Sequence, residues 1–364
     1  MKVVVTGGHH NSALVVAEKL LQKGHKIYWF GHKYSMIGDE NPSAEYQEVT
    51  RKGIPFIEIK AGKFQPKFKF LANLLRIPLG FWQSLLNLYR IKPDLIVSFG
   101  GYLALPVVVS SWLLGIPSVT HEQTTVSGLA NKMIGWLSKR IFLTYPSSAK
   151  YFPKGKTVVV GLPLREDIFK KGQKIFKNSR KTIYITGGKQ GAHVINEAVF
   201  AVLPELIKDF NVIHQCGSTT LYNDIKKAEQ IKYSVGKKGK NYLVSEYFFD
   251  SEIGSVFYSA DLVVSRAGAH TIYELWVLEK PAILVPIPWS SGHEQEKNAQ
   301  MLENVGLAKV LSQEELNKGE LLEEVRDFAK NLKNYQLLPS ESKPRTDAAD
   351  IMVSEIEKML SPKH

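Results

Sequence analysis

Two patterns of hydrophobic residues alternate along the chain. Short runs rich in Val and Ile, such as Lys2–Val5 and Thr182–Thr186, predict buried strands, and stretches with apolar residues three or four positions apart predict helices. The longest predicted helices are Lys69–Tyr89, with a kink or a split at Pro78, and Leu316–Asn331. Strands that alternate with helices are typical of parallel sheets with helical crossovers, so the pattern predicts an α/β fold.

The pattern starts again about halfway along the chain. Each half opens with a strand that runs into a glycine-rich turn, VVVTGGH at Val3–His9 and IYITGGKQGA at Ile183–Ala192. A chain of 364 residues is also longer than one hydrophobic core usually serves. We therefore predict two Rossmann-like domains, over residues 1–162 and 163–345, with the charged stretch Lys170–Lys181 as the linker. A final helix within residues 346–364 is expected to cross back to the first domain.

Composition narrows the class of protein. Hydrophobic residues make up 44% of the chain and charged residues 23%, as in globular proteins. The net charge of +12 suits an anionic partner, either a phosphate-bearing substrate or an acidic lipid surface, and no nucleic-acid-binding motif is present. The single cysteine, Cys216, excludes an internal disulfide and fits a cytoplasmic setting. We expect no signal peptide and no membrane-spanning segment, because no run of 18 apolar residues occurs.

The turn Gly187–Ala192 is the first candidate site. It follows a strand and opens a helix, so its backbone N–H groups and the positive end of the helix can bind a phosphate. Lys189 adds a positive charge at the same place. The alternative is a tight turn that binds no ligand.

The turn Thr6–His10 is the second candidate site. Gly7 and Gly8 allow a close approach, and a histidine beside a helix N-terminus keeps a low pKa and can act as a base near neutral pH. His9 is the candidate base, and His10 is its competitor.

Two further segments follow predicted strands. In SRAGAHTIYE at Ser265–Glu274, Glu274 falls in the first turns of a helix, where it either accepts hydrogen bonds from a ribose or complements the helix dipole. The polar run Ser290–Asn298 suits sugar hydroxyls.

The segment Phe64–Tyr89 has more large apolar side chains than one helix face can bury, and it carries several cations. We interpret it as a contact with an anionic membrane surface, with a core helix as the alternative. The candidate membrane residues are Phe70, Leu74, Leu75, Ile77, Phe81 and Trp82. No D-x-D motif or His/Cys cluster is present, so we expect neither a metal nor a cofactor.

Together these motifs resemble the MurG family of GT-B glycosyltransferases, which add N-acetylglucosamine to lipid I in peptidoglycan synthesis. The resemblance runs in the family's order from about Val3 to Ala299. Its pieces are TGGH at Thr6–His9, KPD…GGY…P at Lys92–Pro106, LGIPSVTHEQ…GLANK at Leu114–Lys132, GLPLR at Gly161–Arg165, GGKQGA at Gly187–Ala192, SRAGAHTIYEL at Ser265–Leu275, KPAILVPIP at Lys280–Pro288 and Q-x-x-NA at Gln295–Ala299.

The resemblance implies two facing Rossmann-like domains with a cleft between them, and an inverting transfer from UDP-N-acetylglucosamine to a lipid-linked acceptor. It makes His9 the base at the acceptor hydroxyl. The acceptor side would comprise Thr6, Gly7, Gly8, Tyr102, His121 and Glu122. The donor side would comprise Thr124, Arg165, Lys189, Gln190, Phe248 over the uracil, Ala269, His270, Thr271, Glu274 at the ribose, and Gln295. It also implies a peripheral protein on the inner face of the cell membrane.

Four positions depart from the family pattern, and they concern the donor sugar and diphosphate. They are Thr124, Leu162, Lys189 and Glu294, which replace Asn, Asn, Ser and His or Gln. A transferase with another lipid-linked or polysaccharide acceptor, and a degenerate protein that only binds a nucleotide sugar, therefore stay as alternatives. A nicotinamide oxidoreductase is disfavoured, because Gly31-His32-Lys33 after the second strand offers no acid for a ribose.

Overall fold

The structure, a computed structural model, describes residues 1–34, 42–60, 70–341 and 343–360, without the side chains of residues 70–77, 250 and 291. The chain forms two compact units. The first contains Met1–Arg165 and Arg345–His364, and the second contains Glu166–Pro344. The stretch 170–181 thus lies inside the second unit, where the backbone N–H of Ile175 donates to Ser259 Oγ (2.9 Å).

The first unit is a parallel sheet with helical crossovers. Its strands are β1 (Lys2–Thr6), β2 (Lys26–Gly31), β3 (Phe56–Glu58), β4 (Leu95–Ser98), β5 (Ser118–Glu122), β6 (Arg140–Leu143) and β7 (Thr157–Val159). Its helices are α1 (His10–Gln22), α2 (Ala44–Arg51), α3 (Phe70–Ile91), α4 (Gly101–Leu113), α5 (Leu129–Leu137) and, at the end of the chain, α13 (Ala348–Leu360). The sheet order is β3-β2-β1-β4-β5-β6-β7, and every pairing is parallel.

The second unit repeats this plan. Its strands are β8 (Thr182–Thr186), β9 (Asn211–Gln215), β10 (Tyr242–Ser245), β11 (Leu262–Ser265), β12 (Ala282–Leu284) and β13 (Ala308–Val310). Its helices are α6 (His193–Asp209), α7 (Asp224–Ser234), α8 (Asp250–Ser259), α9 (Ala269–Val277), α10 (Glu294–Asn304), α11 (Gln313–Asn317) and α12 (Leu321–Lys330). The sheet order is β10-β9-β8-β11-β12-β13, again all parallel.

The last helix, α13, completes the core of the first unit. Ala348, Met352, Val353 and Ile356 pack with the buried face of α1 and with the sheet. Lys19 on α1 forms an ion pair with Asp350 on α13 (2.8 Å). Burial of four apolar side chains dominates the attachment, since an exposed ion pair contributes at most about 1 kcal/mol.

The strand orders fix where ligands can bind. In each sheet the chain starts in the middle, moves outward in one direction and then returns to the other side, so the order reverses between β1 and β4 and between β8 and β11. At such a reversal the connections leave in opposite directions and open a crevice at the carboxyl ends of the strands. Both glycine-rich turns lie at these two points.

Candidate active site

The turn after β1 is held against the end of β4. Gly8 N–H donates to the carbonyl of Gly100 (3.0 Å), and a Cβ on Gly7 would lie 2.7 Å from the backbone of Phe99. Gly7 also has φ of +146°, so a larger residue would meet both strain and a clash. The sequence therefore needs glycine here to bring His9 to the crevice between β1 and β4.

The two histidines of this turn have different partners. His9 Nδ1 lies 2.8 Å from Nε2 of Gln123, the residue that follows β5. His10 Nε2 lies 3.2 Å from a carboxylate oxygen of Glu48 on α2. His9 is thus connected to the carboxyl end of the sheet, whereas His10 is in the first turn of α1 and is paired with a neighbouring helix.

His121 and Glu122 are buried at the end of β5. His121 Nε2 lies 2.9 Å from the carbonyl oxygen of Gly161. The Glu122 carboxylate accepts hydrogen bonds from the backbone and hydroxyl of Thr124 (3.1 and 2.9 Å) and from Asn131 Nδ2 (2.9 Å). These contacts organise the loop between β5 and α5. In the structure, His121 and Glu122 therefore hold neighbouring backbone segments in place.

The same hydrogen-bond network extends to Gly100 and Gly101, the second pair of adjacent glycines in this unit. Asn131 Oδ1 accepts from Gly101 N–H (2.8 Å), and a Cβ on Gly100 would lie 2.7 Å from Asn131. Glu122 therefore helps to position the start of α4, where Tyr102 is exposed. Tyr102 is 39% exposed, and the burial of the rest of its side chain, with a smaller contribution from the charge of Glu45, raises the pKa of Tyr102, so its hydroxyl keeps its proton at neutral pH.

Arg165 lies at the end of the first unit, four residues after the Gly161 carbonyl that meets His121. It is half-buried. Two positions earlier, the carbonyl of Pro163 accepts from Ser12 Oγ on α1 (3.0 Å), which ties this segment to the helix that follows the His9 turn.

In the second unit, the turn at residues 187–192 is held by β9. Gln215 Nε2 donates to the Gly188 carbonyl and to Thr186 Oγ1 (both 3.0 Å), and Ser218 N–H donates to the Lys189 carbonyl (2.9 Å). The turn opens α6, whose first N–H groups and positive end favour an anion. Its backbone is fixed by residues that lie 27 to 29 positions further along the chain, so it needs little ordering when a ligand binds.

The side chains around this turn include cationic and aromatic groups. Lys189 Nζ lies 5.1 Å from the ring centre of Tyr247, and Gln190 is exposed. Phe248 is only 4% exposed and packs at the edge of Tyr184, whereas Phe249 is 40% exposed. The exposed ring of this segment is therefore that of Phe249.

The start of α9 follows β11, the strand on the other side of the crevice at which the strand order of this sheet reverses (the switch point). His270 Nδ1 lies 3.3 Å from a Glu274 carboxylate oxygen one turn later, and Ala269 and Glu274 are buried while Thr271 is half-buried. In the first turn of α10, Gln295 Oε1 accepts from the backbone N–H of Ile287 (3.1 Å). The Glu274 carboxylate thus lies within the first two turns of the helix, as the sequence predicts.

A buried polar chain below α6 was missed by the sequence analysis. Burial lowers the pKa of His214 to about 3, so this ring is neutral and carries one proton. It accepts from the Tyr242 hydroxyl at Nδ1 (2.9 Å) and donates from Nε2 to Asn196 Oδ1 (3.1 Å). Asn196 Nδ2 then donates to the Cys216 carbonyl (2.9 Å) and to Asp224 (2.7 Å). This series of hydrogen bonds connects β9 to the first turn of α6.

Asp224, at the end of this series of hydrogen bonds, belongs to a cluster of residues whose side chains can bind metal ions. His193, Glu197 and Asp224 place one ligand atom each within 4.8 Å of one another. However, His193 Nδ1 lies 2.9 Å from Asp224, and both Glu197 oxygens accept from Lys227 Nζ (2.7 and 2.9 Å). The contacts are those of an ion-pair network.

One face of α3 is apolar and exposed. Leu79, Trp82, Leu86 and Tyr89 are spaced by three or four residues and are all exposed, whereas Phe81 is half-buried. The predicted membrane side chains of Phe70, Leu74, Leu75 and Ile77 lie outside the described side chains. Within the described residues, no helix has the length and hydropathy to cross a membrane.

The chain matches models of two glycosyltransferase domains. Residues 3–143 match the glycosyltransferase family 28 N-terminal domain, and residues 182–352 match the family 28 C-terminal domain. The fold and these matches define a GT-B glycosyltransferase, which confirms the predicted fold class.

Relatives narrow the family. The chain is 34% identical, over 92% of its length and 92% of the relative's, to a "UDP-N-acetylglucosamine--N-acetylmuramyl-(pentapeptide) pyrophosphoryl-undecaprenol N-acetylglucosamine transferase" of Clostridium perfringens. It is 32% identical to the second transferase of that name in Bacillus cereus, over 92% of this chain and 93% of the relative. The crystal structure of Acinetobacter baumannii MurG superposes with a TM-score of 0.70 at 26% identity, covering 98% of this chain and 99% of that one. The chain belongs to the MurG family.

Proposed function

We propose that the protein transfers N-acetylglucosamine from UDP-N-acetylglucosamine to undecaprenyl-pyrophosphoryl-N-acetylmuramyl-pentapeptide (lipid I), which forms lipid II. The observation that carries this proposal is the match over 92% of the chain to transferases that bear this activity in their names. The glycine-rich turns at the two switch points provide the chemistry, one for each substrate.

The second unit is proposed to bind the donor. The diphosphate meets the backbone of residues 187–192, Lys189, Gln190 and the positive ends of α6 and α9, while Glu274 accepts hydrogen bonds from the ribose. The base lies near the aromatic segment that contains Phe248. Since charge develops on the diphosphate as UDP leaves, donors that are fixed in advance lower the barrier.

The first unit is proposed to bind the acceptor. His9 removes the proton of the attacking hydroxyl while the bond between the anomeric carbon and UDP breaks, in a single inverting displacement. Tyr102, which is exposed and protonated, can donate a hydrogen bond to the acceptor. His121 and Glu122 act through the loop that they hold.

No metal or cofactor is required in this proposal. The helix ends, Lys189 and Arg165 supply the positive charge that a metal supplies in other transferases. This point is testable, because turnover should persist in excess EDTA.

The exposed face of α3 is proposed to place the protein on the inner surface of the cell membrane, where a lipid-linked acceptor is found. Leu79, Trp82, Leu86 and Tyr89 supply apolar area, and the net charge of +12 favours anionic lipids. The protein would be peripheral, held at the cytoplasmic side.

The first test is calorimetric binding of UDP-N-acetylglucosamine against UDP-glucose and UDP-galactose, followed by transfer of radiolabelled sugar to lipid I in detergent. Selective binding and transfer would support the proposal. Selective binding with no transfer to lipid I would point to another lipid-linked or polysaccharide acceptor. Binding of none of the three donors would contradict the proposed function.

A further inference from the structure

The amide of Gln123 has an unusual hydrogen-bonding arrangement. Its Nε2 atom lies 2.8 Å from His9 Nδ1, although the two residues are 114 positions apart. Gln123 is only 6% exposed, and its Oε1 atom is buried and accepts no hydrogen bond from the described residues. A buried acceptor without a donor costs roughly 1–3 kcal/mol.

The orientation of this amide decides which nitrogen of His9 can act as a base. A neutral imidazole carries one proton. When the NH₂ group faces Nδ1, that nitrogen accepts, the proton is on Nε2, and Nε2 cannot take another proton. When the carbonyl faces Nδ1, the proton is on Nδ1 and Nε2 carries the lone pair that can accept a proton. A half-turn of the amide exchanges the two arrangements.

We propose that Gln123 is a positioning residue that sets the tautomer of His9, and that the competent state has Gln123 Oε1 as the acceptor of His9 Nδ1–H. The half-turn gives the oxygen a donor, moves the NH₂ group to the place where the oxygen now lies, and leaves Nε2 as the base. This inference rests on the proposed role of His9.

The proton balance of the reaction agrees with this orientation. The O–H bond of the acceptor breaks and its proton moves to His9 Nε2. The electron pair of that oxygen forms the bond to the anomeric carbon, and the pair of the broken C–O bond leaves with UDP. The imidazolium that results still carries Nδ1–H, so Gln123 Oε1 remains a suitable acceptor before and after the transfer.

A glutamine differs from a carboxylate in this position. A carboxylate would fix Nδ1–H and would also raise the pKa of the ring, whereas a neutral amide fixes the tautomer with little effect on the charge. The titratable and charged groups on the elements around this turn include His10, Glu18 and Lys19 on α1, Glu45, Tyr46, Glu48 and Arg51 on α2, Tyr102 on α4, His121 and Glu122 on β5, and Arg165 after β7. They are the same in every variant below, so a shift between variants reports on His9.

Two substitutions test the proposal in the full-length protein. Gln123→Met keeps the length of the side chain and removes the acceptor, so kcat should fall by about 10-fold or more while KM for the donor changes little. Gln123→Glu can only accept, so kcat at high pH should be retained, and the acid limb of the kcat profile should move up by about one pH unit. A purely structural role would give Gln123→Glu the low kcat of Gln123→Met with no shift of the acid limb, which would overturn the proposal.

A spectroscopic readout is independent of turnover. With ¹⁵N-labelled histidine, the ring signals of His9 are assigned by their loss in His9→Gln, and their shifts report which nitrogen is protonated. We expect Nδ1–H in the wild type and in Gln123→Glu, and a mixture in Gln123→Met. Nε2–H in Gln123→Glu would overturn the proposal.

The two proposals fail in different ways. Normal turnover of His9→Ala would remove His9 as the base and would overturn the role of Gln123 with it. A large loss in His9→Ala together with normal turnover in Gln123→Met would overturn only the role of Gln123.

Discussion

The carbonyl oxygen of Cys216 lies so close to Gly191 that a Cβ atom on this glycine would come within 2.0 Å of it. Gly191 also has φ of +84°. Gly188, in the same turn, has a similar φ of +86°, but nothing lies within 4 Å of the place where its Cβ would be. A side chain at either glycine would strain the backbone, but only a side chain at Gly191 would also clash with a neighbour. Comparing substitutions at the two positions therefore separates the two effects.

Gly191→Ala should weaken UDP binding more than Gly188→Ala. Both alanines meet an unfavourable φ, which costs on the order of 1 kcal/mol, but only Gly191→Ala must also displace the end of β9. We expect UDP affinity to fall by at least about 10-fold for Gly191→Ala and by less than about 5-fold for Gly188→Ala. Titration calorimetry measures both, and equal losses would contradict the steric argument.

His9 and His10 should differ in their effect on turnover. Loss of a general base typically lowers kcat by about 10²–10⁴-fold, and we expect this for His9→Ala with donor affinity nearly unchanged. His10→Ala loses the contact with Glu48 (3.2 Å) and should lower kcat by less than about 10-fold. Steady-state kinetics with lipid I decide the matter; the reverse order would make His10 the base.

The buried His214 predicts an acid-sensitive fold. Burial lowers its pKa to about 3, while an unfolded histidine titrates near 6.5. As the pH falls from about 6.5 towards 3, this histidine binds a proton in the unfolded chain but not in the folded protein. The group therefore lowers the free energy of unfolding by up to about 1.4 kcal/mol per pH unit.

Denaturant unfolding of the wild type at pH 7, 6 and 5 measures this slope. His214→Gln should give a smaller slope, whereas His293→Gln, in which the replaced side chain is 70% exposed, should leave it unchanged. An unchanged slope in His214→Gln would show that His214 is not responsible.

The exposed face of α3 predicts weaker membrane binding when it is charged. Trp82 is 57% exposed, and Trp82→Glu adds a negative charge and removes apolar area, so binding to vesicles that contain anionic lipid should fall by about 10-fold or more. Trp289→Glu is the matched control, because Trp289 is 72% exposed and lies in the second unit. Vesicle sedimentation compares them. Equal losses would remove α3 as the contact.

Much of the fold is predictable from the sequence, because buried parallel strands are continuous runs of Val and Ile and the turns that follow them contain glycine. The short helix α2 (Ala44–Arg51) was missed, since Val49 is its only buried residue and it shows no apolar periodicity. Its start was nevertheless signalled by Ser43, whose hydroxyl accepts from Tyr46 N–H.

Two predicted helices differ from the observed ones. The expected helix Leu316–Asn331 is two helices, α11 and α12, which are separated around Gly319 with φ of +88°. A glycine in an otherwise helical pattern was the available signal. At Pro78 the expected split is wrong, because α3 runs from Phe70 to Ile91 with the proline inside it, and the alternative of a kink stays a prediction.

In the candidate site, too, some residues are predictable from the sequence and others are not. Local signals identify His9, Lys189 and Glu274, because each follows a strand and lies at a glycine-rich turn or a helix start. The partner of His9 is not predictable from local pattern, since Gln123 is 114 residues away. The buried placement of Phe248 and the chain from Tyr242 to Asp224 likewise depend on tertiary packing.

The position of α13 sets an order of events during synthesis. A ribosome produces residues 348–360 only after the whole second unit has been made, so the second unit can close its core while the first is still unfinished. Until then the surface of α1 that Met352 and Ile356 cover is open to water or to a chaperone. A chain that stops early would therefore carry a permanently uncovered apolar surface, which quality-control proteases recognise.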